Sequence, residues 1–314
     1  MSTPHSPQAL VTGPHGSMLL RPKQGLQLKF RPSRPSMSRT FSSKCMLCPG
    51  NHVLALQETD SIGNGNWKAR CISTHYGASG TPPAHQIVIP TPVHNAHLST
   101  LPIPELISYF SMVSRAYARI RNVQGILNIF AFTKENLFQI SHPHTHVIGS
   151  YEPNSRTIAA SKMLQHGSCY FCQINEKPLN AYSESAALNI LAQNDHFFAL
   201  CPPDAQYEYQ ISIISKAHVH SLGDFSQNSL KSLAEIFKLV AGALDKITGV
   251  APLKVRFFST LPASGHEFHF HITLAPRIVP YDGFERHQDF AVLIAPPQQR
   301  AHELREAILT LKSP

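Results

Sequence analysis

The 314-residue chain could form one large domain or two of ordinary size, because domains cluster near ~100–150 residues. No run approaches the ~18 apolar residues of a bilayer-spanning helix, so we expect no membrane protein. Charged residues make up only 15%, against roughly 25% in an average globular protein, which argues against a disordered chain. The chain also has 19 His, which favours metal or phosphate chemistry.

The excess positive charge is concentrated at the N-terminus. Seven of the 27 Lys and Arg lie between Met1 and Lys44, which holds no Asp or Glu, and the remaining 20 nearly balance the 19 acidic residues. The near-neutral body argues against a nucleic-acid partner. Residues 1–30 are predicted to be a mobile basic arm. Met1 to Gly16 lacks the pattern of a secretory leader, so we expect a cytoplasmic protein.

Two halves of the chain carry the same landmarks in the same order. The C-x-x-C pairs Cys45–Cys48 and Cys169–Cys172 lie 124 residues apart, and the same offset separates His94 from His218. Each of these His follows an apolar stretch that predicts a strand. Landmarks that recur in order indicate an internal repeat, which a single C-x-x-C would not.

The elements predicted after these landmarks also match. Apolar residues at i, i+3 and i+4 predict helices over Pro104–Arg121 and Gln227–Ile247. Strand-forming runs follow over Ile126–Phe132 and Leu253–Phe258. Each half then ends in a strand with alternating His.

This repeated order of strands and one helix predicts the fold class. Antiparallel strands with a helix packed on them give an α+β fold, and each repeat supplies one such sheet. We predict two tandem units, residues 31–150 and residues 169–314, joined by a polar connector over residues 151–168.

Each half supplies four residues of the types that bind zinc. Cys thiolates and His imidazoles form closed tetrahedral sites, which are structural rather than catalytic. The predicted ligands are Cys45, Cys48, His94 and His142 in the first half, and Cys169, Cys172, His218 and His269 in the second. His97 and His220 stay open as alternative ligands, and the Cys pairs could instead be core residues or redox dithiols. Cys71 and Cys201 stand in apolar segments and are predicted to be buried.

The segment Ser141–His146, Ser-His-Pro-His-Thr-His, carries the sharpest signal. On a strand its three His share one face, and they cannot all be protonated cheaply. If His142 is held by zinc, His144 becomes a rigidly presented nucleophile for phosphorus. The pattern leaves two alternatives open: a metal site formed by the three His, or surface His on an edge strand that is interrupted by Pro.

The second half carries a shorter version of this segment. His269 and His271 alternate, but Thr273 stands where a third His would be, and Ser141 has no counterpart there. We predict a metal-binding and structural role for this pair rather than a second catalytic centre.

Motifs in both halves match, in combination, those of one known family. In the first half they are Cys45-Met-Leu-Cys48-Pro-Gly-Asn51, the segment around His94, and Ser141-His-Pro-His144. In the second they are Asn194–Leu200, Tyr207-Glu208, Phe268–Ile272, Ala275-Pro-Arg277, Gly283-Phe-Glu285 and Pro296–Glu306. With these motifs the chain resembles the galactose-1-phosphate uridylyltransferase family of the histidine-triad superfamily, from about Arg31 to Glu306. The resemblance implies two tandem histidine-triad-like units.

The resemblance further implies a zinc-containing nucleotidyltransferase that works by double displacement. In that family the central His of His-Pro-His attacks the α-phosphorus of a nucleoside diphosphate sugar and releases a sugar 1-phosphate. A second phosphate then accepts the nucleotide. By resemblance His144 is the nucleophile, while Ser141, His146, Arg31 and Arg34 contact phosphate. The family likeness also suggests a homodimer.

Two features keep other functions open. The family transferases carry Gln two residues after the nucleophile, where this chain has His146; His there is typical of superfamily members that hydrolyse the nucleotidyl-enzyme. Phe132–Ile140 contains no Gly, although close approach of a backbone to phosphate favours Gly. A nucleotide phosphohydrolase acting through the same His144, and a non-catalytic zinc-stabilised nucleotide-binding protein, are therefore alternative hypotheses.

Overall fold

The computed structural model of the chain describes residues 17–19, 41–51, 56–63, 66–74, 84–126, 128–133, 142–151, 169–176, 189–260, 268–278 and 291–312. Three predicted phosphate contacts, Arg31, Arg34 and Ser141, lie outside these ranges. So does the predicted connector apart from Tyr151, and the predicted arm apart from Ser17–Leu19.

The described elements alternate short strands with a few longer helices. The strands are β1 (Ser17–Leu19), β2 (Leu56–Ile62), β3 (Ala69–Thr74), β4 (His85–Ile89), β5 (Asn128–Thr133), β6 (Thr145–Ser150), β7 (Ile190–Gln193), β8 (Phe197–Leu200), β9 (Ile211–Ser215), β10 (Leu253–Phe258), β11 (His271–Pro276) and β12 (Ala291–Leu293). The helices are α1 (Ile103–Arg121), α2 (Tyr170–Glu176), α3 (Gln227–Thr248) and α4 (Pro297–Lys312).

Ten of the strands form one antiparallel sheet in the order β2-β3-β4-β6-β5-β10-β11-β9-β8-β7. The halves of the chain meet where β5 pairs with β10, with Phe132 opposite Arg256. Outward from this junction the strand order is equivalent on both sides: β5-β6-β4-β3-β2 and β10-β11-β9-β8-β7. The predicted α+β class is confirmed, but the two sheets that we predicted separately are one continuous sheet. In addition, β1, within the arm expected to be mobile, pairs in parallel with β12.

The two long helices end within one residue of their predicted bounds. Helix α1 begins after Pro102 and carries Pro104 in its first turn, where the missing N–H has no partner to lose. In α3, the Ser226 hydroxyl accepts a hydrogen bond from the Ser229 N–H, and the helix ends at Gly249 with φ of 71°. Within the described ranges, no helix combines the length and apolar composition that crossing a bilayer requires.

The alternation of each strand separates the sheet into two faces. One face is covered by α1 and α3, whose Phe110 and Phe237 rings meet edge-on at 5.4 Å. We call the opposite face the site face. One row of register neighbours on the site face runs across five strands and consists of Ile87, His146, Phe132, Arg256 and Thr273. Strand β6, which carries His146, is flanked on both sides, so the alternative of an exposed edge strand is wrong.

Candidate active site

The first C-x-x-C pair forms a tight turn on the site face. The Cys48 N–H donates to the Cys45 carbonyl at 3.1 Å, and Leu47 N–H donates to Cys45 Sγ at 3.4 Å. The Asn51 side-chain amide donates to the carbonyls of Ser42 and Cys45, both at 2.7 Å. Asn51 therefore closes the turn that sets the two sulfur atoms side by side.

The structure brings all four predicted ligands of the first half together, and all four are buried. Cys48 Sγ lies 3.3 Å from His94 Nδ1 and 3.6 Å from His142 Nδ1, and Cys45 Sγ lies 3.9 Å from the latter. A tetrahedral zinc ion with bonds of about 2.0–2.3 Å would hold its ligand atoms roughly 3.3–3.8 Å apart. The spacing and the soft donor set therefore fit a metal ion of this kind.

The hydrogen bonding of His142 prepares it as a ligand. Its Nε2–H donates to the Thr91 carbonyl at 2.8 Å, which leaves the lone pair on Nδ1, the nitrogen beside the sulfurs. Burial, with the nearby charge of His94, lowers the pKa of His142 to about 4, so the ring is neutral near pH 7. Burial raises the pKa of the Cys45 thiol, so a thiolate there needs a cation beside it.

The second half brings its four predicted ligands together in the same way. Cys172 Sγ lies 3.2 Å from His218 Nδ1 and 3.5 Å from His269 Nδ1, and Cys169 Sγ lies 3.3 Å from His269 Nδ1. His269 Nε2–H donates to the Ser215 carbonyl at 2.6 Å. This group is more accessible than the first, because both Cys are only half-buried and His218 is exposed.

The alternative ligands left open by the sequence bind elsewhere. His97 Nδ1 hydrogen-bonds the Ser99 hydroxyl at 2.5 Å, and the Ser99 hydroxyl in turn donates to Asp245. His220 Nδ1 donates to the Phe268 carbonyl at 3.1 Å. Cys71 and Cys201, predicted to be buried, are both buried in the core.

His144 is held by the backbone of the metal-ligand segment. Its Nδ1–H donates to the carbonyl of His142 at 2.8 Å, so the lone pair of the neutral ring lies on Nε2. The side chain is 4% exposed and starts two residues from the His142 ligand. A three-His metal site is not what the structure shows, since His142 faces the sulfurs while His144 faces its own backbone.

His146 is packed between rings from both neighbouring strands. The ring of Phe132 stacks on it at 5.2 Å with planes 19° apart, and the ring of His85 stacks at 5.1 Å with planes 28° apart. The His144 ring meets the His146 ring edge-on, with their centroids 5.0 Å apart. His85 belongs to none of the sequence motifs. The one sequence signal that could have placed it on the site face is strand alternation, because His85, Ile87 and Ile89 point to the same face.

The second His pair has the same backbone geometry but different surroundings. His271 Nδ1–H donates to the His269 carbonyl at 3.0 Å, as His144 does to His142. Its ring, however, is stacked on Phe258 at 4.6 Å and on Phe268 at 5.5 Å, with Phe171 at 5.1 Å. Burial lowers the pKa of His271 to about 4. Aromatic rings thus surround the imidazole that corresponds to His144.

Two cations of β10, Lys254 and Arg256, lie on the site face, a feature that the sequence reasoning did not identify. Lys254 Nζ donates to the Tyr207 hydroxyl at 2.8 Å and lies 4.6 Å from its ring centre. Arg256 Nη2 lies 3.5 Å from the same hydroxyl. Burial, together with the charges of Arg256 and Arg277, lowers the pKa of Lys254. Positive charge is therefore concentrated across Phe132 from His146.

Comparisons with known proteins agree with the motifs. A family model described as "Scavenger mRNA decapping enzyme C-term binding" matches residues 168–281, in the second half. The galactose-1-phosphate uridylyltransferase of Thermotoga maritima is 26% identical over 204 residues, covering 61% of this chain and 62% of that protein. The match thus spans about three fifths of that relative's length. The ADP-glucose phosphorylase of Arabidopsis thaliana is 24% identical over 322 residues, covering 90% of this chain and 87% of that protein.

Solved structures give the same fold. The crystal structure of an ADP-glucose phosphorylase from Arabidopsis thaliana with bound ADP-glucose has a TM-score of 0.71 at 19% identity, covering 88% of this chain and 91% of that chain. The resemblance to the galactose-1-phosphate uridylyltransferase family predicted from the sequence is confirmed. These relatives do not favour the phosphohydrolase or the non-catalytic alternative.

Proposed function

We propose that this relative of the galactose-1-phosphate uridylyltransferases is a hexose-1-phosphate nucleotidyltransferase that works through a covalent nucleotidyl-His144. The observation that carries the proposal is the hydrogen bond from His144 Nδ1–H to the His142 carbonyl, which fixes a neutral ring with Nε2 as the nucleophilic atom. The relatives give the reaction class, because one transfers uridylyl groups and the other is a phosphorylase of ADP-glucose.

In the first step, the His144 Nε2 lone pair attacks the α-phosphorus of a nucleoside diphosphate sugar. The N–P bond forms as the bond from phosphorus to the bridging oxygen breaks, and the sugar 1-phosphate leaves with that electron pair. Positive charge develops on the imidazole, and the His142 carbonyl that accepts Nδ1–H stabilises it. The leaving group is a phosphate with a low pKa, so no general acid is required.

In the second step, an oxygen of an acceptor phosphate attacks the same phosphorus and the N–P bond breaks. The electron pair returns to Nε2, and the neutral ring is restored. The same residues serve both steps because the acceptor is chemically equivalent to the first leaving group. Positioning of His144 directly before strand β6, which is anchored in the sheet, supplies much of the rate enhancement.

We assign zinc to both groups of four ligands. Zinc when bound would supply structural crosslinking, since four protein ligands leave no open position for substrate. In the first group, His142 is fixed at both nitrogens: Nδ1 toward the sulfurs and Nε2–H on Thr91. The backbone carbonyl that orients His144 belongs to this same residue, so the metal group and the nucleophile are mechanically linked.

Phosphate contacts complete the proposal. Ser141, Arg31 and Arg34 retain the phosphate-binding roles that the family resemblance implies. The positive charge of Lys254 and Arg256 on the site face favours an anionic substrate near His146.

The equivalent strand order of the halves supports an internal duplication into two histidine-triad-like units, residues 31–150 and residues 169–314, of which only the first is catalytic. The aromatic rings around His271 support this division, because they fill the space that a nucleotide would need at that histidine. A homodimer and a cytoplasmic location complete the proposal as the resemblance and the sequence suggest them.

The test is trapping of the covalent intermediate. The protein is incubated with ADP-glucose or UDP-glucose carrying ³²P at the α-phosphorus, then denatured. We expect label on the protein that is lost in acid and kept in base, as for a phosphorus–nitrogen bond. In a separate assay, labelled glucose 1-phosphate should exchange into the nucleotide sugar without a third substrate.

The matched control is His271, which has the same backbone hydrogen bond but lies among aromatic rings. His144→Ala should abolish labelling and exchange while the thermal unfolding temperature changes little. His271→Gln should retain both activities. Labelling of folded His144→Ala would contradict the proposal. So would a wild-type protein that never carries the label and exchanges glucose 1-phosphate only when both substrates are bound together.

A further inference from the structure

The cluster around the proposed nucleophile contains a histidine outside the family motifs. His85 lies on β4 and pairs with Ile148, two residues after His146, while His146 pairs with Ile87. His85 Nε2 is 2.9 Å from His146 Nδ1, and their rings stack. Phe132 packs against His146 from the strand on the other side. The orientation of the His146 ring is therefore fixed by both neighbours.

A single hydrogen joins the two facing nitrogens, so only two arrangements of the neutral pair are available. If His85 Nε2–H donates to His146 Nδ1, the His146 hydrogen lies on Nε2 and His146 is a donor to its surroundings. If His146 Nδ1–H donates to His85, its Nε2 has a lone pair and can take a proton from water. The first arrangement stabilises a phosphoryl oxygen; the second suits a general base for hydrolysis.

The surroundings favour the first arrangement. A general base would have to carry positive charge while stacked between Phe132 and a second imidazole, in a half-buried position. Burial lowers the pKa of His85, so that ring does not supply a charge of its own. A neutral donor needs no charge, and its N–H would stabilise negative charge that develops on a phosphoryl oxygen.

We propose that His85 is a positioning residue that locks His146 as a neutral Nε2–H donor, so that the nucleotidyl-enzyme is transferred to a phosphate acceptor rather than hydrolysed. The proposal rests on the proposed function and deepens it.

The first test does not depend on activity. Metal-loaded protein with ¹⁵N-labelled His is studied by NMR, and His146→Gln identifies the signal of His146. We expect one nitrogen of His146 to be protonated, Nε2, and we expect the population to shift toward Nδ1–H in His85→Phe. A wild-type His146 protonated on Nδ1 would overturn the proposal.

The second test measures how the labelled nucleotidyl-enzyme divides between water and glucose 1-phosphate. In His85→Phe, which keeps an aromatic ring but cannot donate, the ratio of hydrolysis to transfer should rise about tenfold, the effect of one lost hydrogen bond. His85→Gln supplies an N–H donor and should restore the ratio to within about twofold of the wild type. Equal ratios in the two variants would overturn the proposal.

A double variant separates positioning from simple packing. If His85 acts through His146, then His85→Phe should have no further effect on the ratio in a His146→Gln background. An additive effect there would contradict the proposal. Failure of the wild type to form any nucleotidyl-enzyme would refute the proposed function instead, while the NMR measurement would still decide the tautomer.

Discussion

Acid should destabilise this protein in a pH range where its carboxylates are still ionised. His142 and His269 are 0% and 2% exposed. In the metal-free protein, burial lowers the pKa of each from 6.5 to about 4. As the pH falls below 6.5, the unfolded chain binds protons at these rings and the folded chain does not. The stability that the neutral rings contribute is therefore complete above pH 6.5 and is lost as the pH falls toward 4.

The size of the effect follows from these pKa values. Between pH 7 and pH 5 each ring should lower the free energy of unfolding of the metal-free protein by about 2 kcal/mol. His271 has the same lowered pKa of about 4, so the three rings together should lower it by about 6 kcal/mol. Urea unfolding of the metal-free protein, followed by circular dichroism at pH 7, 6 and 5, measures this change. A free energy of unfolding that stays constant between pH 7 and pH 5 would refute the reasoning.

Three further predictions concern the metals, a buried ion pair and the site-face charge. Metal analysis should find about two ions per chain, with one lost in Cys45→Ser and one lost in Cys169→Ser. A chelator should remove the ion of the second group first, because the ligands of that group are more exposed. Arg300→Met should lower the free energy of unfolding by about 3–5 kcal/mol, because it leaves the buried Glu208 carboxylate, 2.8 Å from Arg300 Nε, without its cation. Lys231→Met removes one partner of an exposed ion pair and should lower the free energy of unfolding by less than about 1 kcal/mol in the same urea titration. Arg256→Gln should raise the KM for the nucleotide sugar several-fold with less effect on kcat in steady-state assays, and an unchanged KM would exclude Arg256 from substrate binding.

Much of the fold was predictable because local patterns set it. Helix α1 was predicted from Pro104 and begins at Ile103, since the spacing of its apolar residues and the Pro in its first turn are both local signals. The run Leu253–Phe258 was predicted as a strand and is strand β10 over the same residues. The joining of β5 to β10 was not predicted, because backbone pairing between distant strands leaves no trace in either strand's own pattern.

The candidate site shows the same division. The two groups of metal ligands could be predicted because each combines a C-x-x-C turn with His at matching offsets. The choice of His94 over His97 needed coordinates, since both side chains follow the same strand. His85 was missed because its contact with His146 depends on the register of β4 against β6. The aromatic surroundings of His271 likewise come from three separate segments.

The shared junction of β5 and β10 has a consequence for protein engineering. A gene fragment that ends near residue 150 would leave the backbone N–H and C=O groups of β5 without the strand that now pairs with them. An open strand edge of this kind pairs with strands of other chains. A second copy of the fragment is the expected partner, because the pairing at the junction is antiparallel and the strand order is equivalent on both sides. We expect isolated first halves to self-associate or aggregate, and co-expression of the two halves as separate chains to rescue solubility.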